Sequence, residues 1–289
     1  MATPFLKWPG GKRWVAPLIA KLIKPQLSGT YYEPFLGSGA VFFSLRPEKA
    51  VLSDVNEELI STYLAVRRSV KDVLTSLRRK RVSKNEYYRI RQMSPRSEVG
   101  TAARLLYLNR TAFGGVYRLN SQGKFNVPYG GGERTPNLLW EQGILRSASK
   151  VLARATIQHS DFEPMLDRAT RGDVIYCDPT YTVTHDLNGF IRYNETNFSW
   201  ADQVRLATAA KEAARRGVMV IVSNAHHRAV RALYSSATAK VLERRSLISR
   251  DPAKRRVVEE YLFILAPRVF VRGRPTPCPG GTNNSRNLA

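Results

Sequence analysis

The chain has 289 residues, with 46 Lys+Arg against 23 Asp+Glu, a net charge of +23 and an apolar fraction of 43%. That length holds one large domain or two modest ones, and so large a positive excess costs stability through self-repulsion, which points to a polyanionic partner. Two cysteines, Cys177 and Cys278, make neither a disulfide framework nor a paired metal site, and no signal-like segment or long apolar run occurs, so secretion, membrane insertion and structural zinc are not expected.

From the start to about Val66, short apolar runs alternate with Gly-rich turns and one amphipathic stretch, Trp14 to Ile23, the pattern of strand and helix units around a parallel sheet. The opening Phe5-Leu-Lys-Trp-Pro-Gly-Gly-Lys12 precedes a helix expected near Arg13. It is either a basic arm or a turn that aims backbone N–H groups and a lysine at an anion such as a carboxylate. Tyr31-Tyr-Glu-Pro-Phe-Leu-Gly-Ser-Gly-Ala40 follows, then a strand ending at Asp54. Gly37 and Gly39 let backbone pass close to a ligand, and an acid after the next strand can bond a ribose diol, so the pair suits an adenosine-containing cofactor. The plainer alternative is a tight strand-to-helix turn. Phe42 stands where a third glycine would mark a nicotinamide enzyme.

Residues 67–150 hold 18 Lys/Arg against 5 Asp/Glu, so under a third of the chain carries a surplus of 13 positive charges. Its first part reads as helical, with Ser83-x-x-Glu86 as a capping box and Ala102 to Leu108 as an apolar stripe. Thr111 to Gly132, full of Gly, Asn and aromatics, reads as a hairpin with loops. Arg78-Arg-Lys-Arg81 is read as a solvated helix end.

The α/β texture returns at about Val151. Ala155-Thr-Ile-Gln-His, Asp173-Val-Ile-Tyr-Cys, Val218-Met-Val-Ile-Val and Val258 to Leu265 read as strands buried on both faces of a parallel sheet, with a helix from Asp202 to Arg216. The basic zone is therefore expected to interrupt one discontinuous α/β domain, residues 1–66 and 151–266, and residues 267–289, rich in Pro and Gly, to be a disordered tail. Asp178-Pro-Thr-Tyr181 sits directly after an apolar strand, where open sheets present residues to ligands. The Asp178 carboxylate and the Pro179 carbonyl can each accept a hydrogen of an exocyclic amine, and Tyr181 can stack on a planar base; the plainer alternative, a proline turn with a capping Asp, is outweighed only in combination with the glycine turn upstream. Cys177 is read as core, His226-His227 as a strand-end loop, and Pro277-Cys278 as tail.

Taken in order, Lys7 to Lys12, Glu33 to Gly39, Asp54-Val-Asn56, Asn109-Arg110, Phe125 to Gly130, Ser160-Asp-Phe162 and Asp178 to Tyr181 resemble the Dam-type (D12 class) DNA N6-adenine methyltransferases, with coverage from about Phe5 to Leu265. The resemblance implies a Rossmann-like methyltransferase sheet, S-adenosylmethionine as cofactor, and a helical and hairpin target-recognition insertion at 67–150. It places Trp8, Lys12, Asp54 and Asp178 on the cofactor, gives Glu33, Pro34, Phe35, Gly37 and Gly39 the shaping of its turn, and sets Asp161 and Phe162 beside its adenine. Catalysis falls to Asp178, Pro179 and Tyr181. The segments Phe113 to Asn120 and Phe125 to Pro128 are similar to a base-reading hairpin, with Arg118 on a guanine, Pro128 near a thymine methyl, Lys7 on a base edge, Phe113 as a wedge and Asn120 in the same face. Thr180 departs from the family, which has a second proline there.

The expected activity is methyl transfer to N6 of a flipped-out adenine in a short duplex site, G-A-T-C or similar, by a metal-free, monomeric cytoplasmic enzyme of a bacterial or phage-infected cell, associated with the nucleoid and compatible with restriction-modification. Two alternatives remain at this stage: a catalytically inactive DNA-binding protein on the same scaffold, and an N-methyltransferase acting on RNA or protein.

Overall fold

The computed structural model describes residues 2–131, 142–182, 198–245 and 257–266. The expected tail, with Pro277-Cys278, lies outside them. Among the described residues, seven strands form one sheet: β1 (Tyr31–Glu33), β2 (Ala50–Asp54), β3 (Ala155–His159), β4 (Val174–Cys177), β5 (Met219–Ala225), β6 (Thr238–Arg245) and β7 (Val257–Leu265), in the spatial order β3-β2-β1-β4-β5-β7-β6. Pairing is parallel from β3 through β5, so the expected parallel sheet holds there. It fails for β7, which runs antiparallel to both β5 and β6. An apolar run reports burial on both faces and not direction, and direction was the part assumed. The β6 strand was not anticipated.

Helices cover both faces. The first half contributes α1 (Ala16–Ile23), α2 (Ala40–Leu45) and α3 (Glu57–Arg78), the middle α4 (Lys84–Gln92), α5 (Glu98–Thr111) and α6 (Gln142–Leu152), and the last part α7 (Glu163–Arg168), α8 (Trp200–Arg215) and α9 (Arg228–Leu233). Successive strand residues point to opposite faces. In β4 this sends Val174 and Tyr176 into one core with Tyr31, Phe42 and Leu52, and Ile175 and Cys177 into a second with Val220, Val222 and Leu206. Cys177 is buried, as expected of core.

The helical zone joins the first core rather than standing apart, since Leu74, Leu105 and Tyr107 pack in the same cluster as Leu52. The expected boundary after Val66 falls inside α3, close to a kink at Ser69 (φ −135°, ψ 39°). Ser83 caps α4 by accepting the Glu86 N–H at 3.2 Å, while the Glu86 carboxylate turns to Arg89. The capping box with both bonds present is at Ser199 and Asp202, opening α8. The hairpin is present in outline, with antiparallel bridges at Ala112–Tyr129 and Leu119–Phe125.

Candidate active site

The sheet order reverses direction between β1 and β4, and a crevice opens at the carboxyl ends of strands at such a point. The chain enters it four times: after Glu33, after Asp54, after His159 and after Cys177.

The turn after β1 is built around two glycines. Gly37 has φ +46° and Gly39 φ +63°, conformations that suit residues without a Cβ. Gly37 is also required by space, because a Cβ there would sit 2.9 Å from Trp8 Cδ1. Asp54 holds the turn from the neighbouring strand: Oδ2 accepts the Gly37 N–H at 3.0 Å and Oδ1 the Asn56 N–H at 3.0 Å. Burial raises the Asp54 pKa against these N–H groups, which favour its charge. Glu33 is buried beneath the turn, where Oε2 accepts from the Tyr31 hydroxyl (2.8 Å) and from the Phe42 N–H in the first turn of α2 (3.0 Å). Burial lifts its pKa to about 8, despite the two donors that stabilise the charged form.

Asp178 follows β4, and its loop is fastened from three sides. The Lys12 ammonium, 5% exposed, lies 3.0 Å from Asp178 Oδ1 and 3.3 Å from Glu260 Oε2. The same ammonium sits 4.9 Å from the Tyr181 ring centroid, and the Tyr181 hydroxyl donates to Glu260 Oε2 at 3.1 Å. Although burial works against its charge, Lys12 is held above the ordinary lysine value by Asp178, with Tyr176 and Glu260 adding to the pull. On the other flank, buried Gln203 of α8 donates from Nε2 to the Thr180 carbonyl (3.3 Å) and the Thr182 hydroxyl (2.9 Å), and its Oε1 accepts from Asn224 of β5 (2.9 Å). Thr180 itself is exposed, so this departure from the family touches the loop through a carbonyl that Gln203 anchors.

The remaining sequence-marked residues divide between the crevice and the hairpin. Asp161 Oδ1 accepts the Glu163 N–H at 2.9 Å and Oδ2 pairs with Arg205 at 2.9 Å. Phe162 is buried, stacked on Phe35 (5.4 Å between centroids) and faced by the Arg205 guanidinium at 4.5 Å. Pro34 is buried between Glu33 and Phe35.

On the hairpin, Phe113 is 54% exposed and Pro128 is exposed. The Arg118 Nε donates to Asn126 Oδ1 at 2.8 Å. Asn120 closes the tip, its Oδ1 accepting the N–H groups of Gln122 and Lys124. Lys7 is exposed, and its backbone is pinned by buried Asn109, which bonds both the Lys7 N–H (2.9 Å) and the Lys7 carbonyl (2.7 Å). Trp8 stacks on Tyr117 of the hairpin at 4.7 Å. The N-terminal arm and the hairpin thus meet in an aromatic contact.

Sequence reasoning missed Glu260, Gln203, Asn224 and Tyr117. Of the two adjacent acids in the otherwise apolar last strand, Glu259 and Glu260, alternation turns one inward, and that was a usable signal for Glu260. Among the described residues no group of three or more His, Cys, Asp and Glu could hold a metal ion. None of the described helices is long and apolar enough to cross a membrane. His226 pairs with Glu259 at 2.9 Å, and His227 caps α9 by accepting the Ala229 N–H.

The profile of the D12 class N6 adenine-specific DNA methyltransferases matches residues 8–248. The chain belongs to this family. It is 36% identical over 250 residues to a type II methyltransferase, M1.LlaDCHI, of Lactococcus lactis subsp. cremoris, covering 83% of this chain and 87% of the relative. It is 33% identical over 272 residues to a DNA adenine methylase of Vibrio cholerae, covering 92% of this chain and 96% of the relative, and 30% identical over 272 residues to the DNA adenine methylase of Escherichia coli K12, with the same two coverages. The protein is therefore an adenine-specific DNA methyltransferase with a Rossmann-like sheet, and its positive excess has a polyanionic partner in DNA.

Proposed function

We propose that the protein transfers a methyl group from S-adenosylmethionine to N6 of an adenine flipped out of a short duplex site, with G-A-T-C the first to test. The observation that carries this reading is the placement of Asp178 after β4 at the sheet's switch point, beside Lys12 and within one loop of the Tyr181 ring.

The residues present fit the cofactor. A carboxylate has about four lone-pair sites, so Asp54, with two backbone donors bound, keeps capacity for a ribose hydroxyl. The positive-φ glycines let backbone approach closely and Trp8, packed against Gly37, walls one side, with Glu33, Pro34 and Phe35 supporting that turn from below. Asp161 and the Phe35–Phe162 stack offer a polar edge and an apolar floor on the purine side. When bound, S-adenosylmethionine supplies an electrophilic methyl on a sulfonium, which needs no metal.

The chain's own residues prepare the acceptor. The N6 lone pair of adenine is delocalised into its ring, so the amine is a poor nucleophile. Hydrogen bonds from N6–H to Asp178 and to the Pro179 carbonyl favour the form with the lone pair on nitrogen and fix its direction. Tyr181 stacks on the flipped base. Flipping costs about a few kcal/mol, offset by contacts to the rest of the duplex.

The reading face is the hairpin with the Lys7 arm. Asn126 takes the Arg118 Nε, which leaves the paired Nη groups of an exposed guanidinium for a guanine edge. Phe113 is exposed as a wedge needs to be, Pro128 offers an apolar contact, and Asn120 shapes the tip. Residues 67–150 act as the recognition unit, inserted between catalytic segments 1–66 and 151–266, continuous with the first through α3 and sharing its core.

The test is Asp178→Ala with S-adenosylmethionine and G-A-T-C duplexes. Transfer is abolished while duplex binding changes little; retained turnover rejects the role. Sequencing of methylated adenines in DNA from expressing cells identifies the site.

A further inference from the structure

Among the described residues the buried cation of this site has two carboxylate partners, and one of the two belongs to the catalytic tetrapeptide. Glu260 comes from β7, the antiparallel strand, at 2% exposure. Charge in such a place is costly unless paired, so a carboxylate kept there needs a role. Its Oε2 lies 3.3 Å from Lys12 Nζ and accepts the Tyr181 hydroxyl at 3.1 Å. The Lys12 Nζ also donates to the Gly10 carbonyl at 3.1 Å, so the ammonium is held by the N-terminal loop, by β7 and by the loop after β4 together.

We propose that Glu260 is a positioning residue for methyl transfer: by sharing Lys12 with Asp178 and tethering the Tyr181 hydroxyl, it fixes the carboxylate and the ring that receive the target adenine. With both carboxylates charged, the three groups carry one net negative charge. That balance leaves Asp178 able to accept from N6–H. Were Glu260 neutral, Asp178 would be the one carboxylate balancing the ammonium among the described residues, and that pairing competes with the adenine amine for the same carboxylate. The Tyr181 ring would lose its tether in the same change. The inference rests on the reading of Asp178 and Tyr181 as the adenine-receiving groups.

The experiment compares wild type, Glu260→Gln, Glu260→Asp and Asp178→Ala in single-turnover methylation, with S-adenosylmethionine and a G-A-T-C duplex. A second duplex carries 2-aminopurine in place of the target adenine, so its emission reports how the flipped base is stacked. For Glu260→Gln we expect transfer slowed by about tenfold or more, as for a small misplacement of reacting groups. Duplex affinity stays near wild type, 2-aminopurine emission changes, and Glu260→Asp, which keeps the charge, recovers part of the rate. A Glu260→Gln rate equal to wild type overturns the inference. So do equal losses in Glu260→Gln and Glu260→Asp with unchanged emission, the mark of a merely structural role. If Asp178→Ala keeps turnover, the reading of the site falls; if Asp178→Ala is inactive while Glu260→Gln is wild type, only the role of Glu260 falls. Should Glu260→Gln fail to fold, Tyr181→Phe removes the hydroxyl tether and keeps the ring: altered emission supports the inference, and wild-type emission with wild-type rate overturns it.

Discussion

Trp8 lies against the backbone of Gly37 so closely that a Cβ on Gly37 would stand 2.9 Å from Trp8 Cδ1. The residues come from the N-terminal arm and from the turn after β1, and their contact closes one wall of the proposed cofactor site.

Gly37→Ala therefore carries two penalties, the steric one and an Ala at φ +46°. A non-glycine residue in that region costs about 1–3 kcal/mol. Part of this appears as a lower melting temperature and part as weaker S-adenosylmethionine binding by calorimetry. Unaltered affinity and melting would show that the turn relaxes freely and that Trp8 does not define the wall.

The pH dependence of stability has a specific source in Glu33. Burial puts its pKa near 8, against 4.5 ordinarily, so between those values the folded chain holds a proton that the unfolded chain has released. The resulting stability is complete below the unfolded value and is lost as pH rises through the folded one. Within the window the slope is up to about 1.4 kcal/mol per pH unit. Glu33→Gln keeps an acceptor for Tyr31 and the Phe42 N–H without the titration. Urea unfolding at pH 5.5 and 8 is expected to show wild type losing stability relative to this variant; parallel curves would refute the assignment.

Much of this arrangement was legible in the chain. Strands β2 to β5 were expected as strands from the chain, while β1 entered only through the alternative of a strand-to-helix turn, and the glycine turn and Asp178 lie at the positions where a sheet presents ligand-binding residues. The strand direction of β7 was not legible, because burial on both faces looks the same whichever way the chain runs. Nor was the Lys12–Glu260 contact, which joins residues from nearly opposite ends of the sequence, so no local spacing signals it. Gln203 lay within the expected Asp202 to Arg216 helix, and only tertiary packing shows it turned inward to hold Thr180. Asp54 was read as a ribose contact, and the structure adds an internal task, holding the Gly37 N–H.

That second task sharpens what its removal does. Asp54→Ala leaves the Gly37 and Asn56 N–H groups without their carboxylate and removes the proposed ribose acceptor. A loss of about 1.5–3 kcal/mol in S-adenosylmethionine affinity is expected, the range for a hydrogen bond to a charged group. Asp54→Asn retains one acceptor oxygen and should fall between. Calorimetry giving wild-type affinity for Asp54→Ala would remove Asp54 from the site.

The reading of sequence rests on a difference between two kinds of basic residue. Arg118 is exposed on the hairpin, oriented by Asn126, whereas Lys84 is exposed at the start of α4. If Arg118 reads a guanine through a bidentate pair, Arg118→Ala costs about 1–3 kcal/mol on the cognate duplex and much less on one altered at that base. Discrimination then collapses at a single position. If Lys84 meets only phosphate, Lys84→Ala weakens every duplex alike and lowers the slope of log K against log salt by about one. Methylation kinetics over single-base variants of G-A-T-C, with binding titrated at several salt concentrations, separate the two. Equal losses for Arg118→Ala on all variants would make Arg118 a phosphate anchor and move base reading to Lys7 and the Phe113 loop.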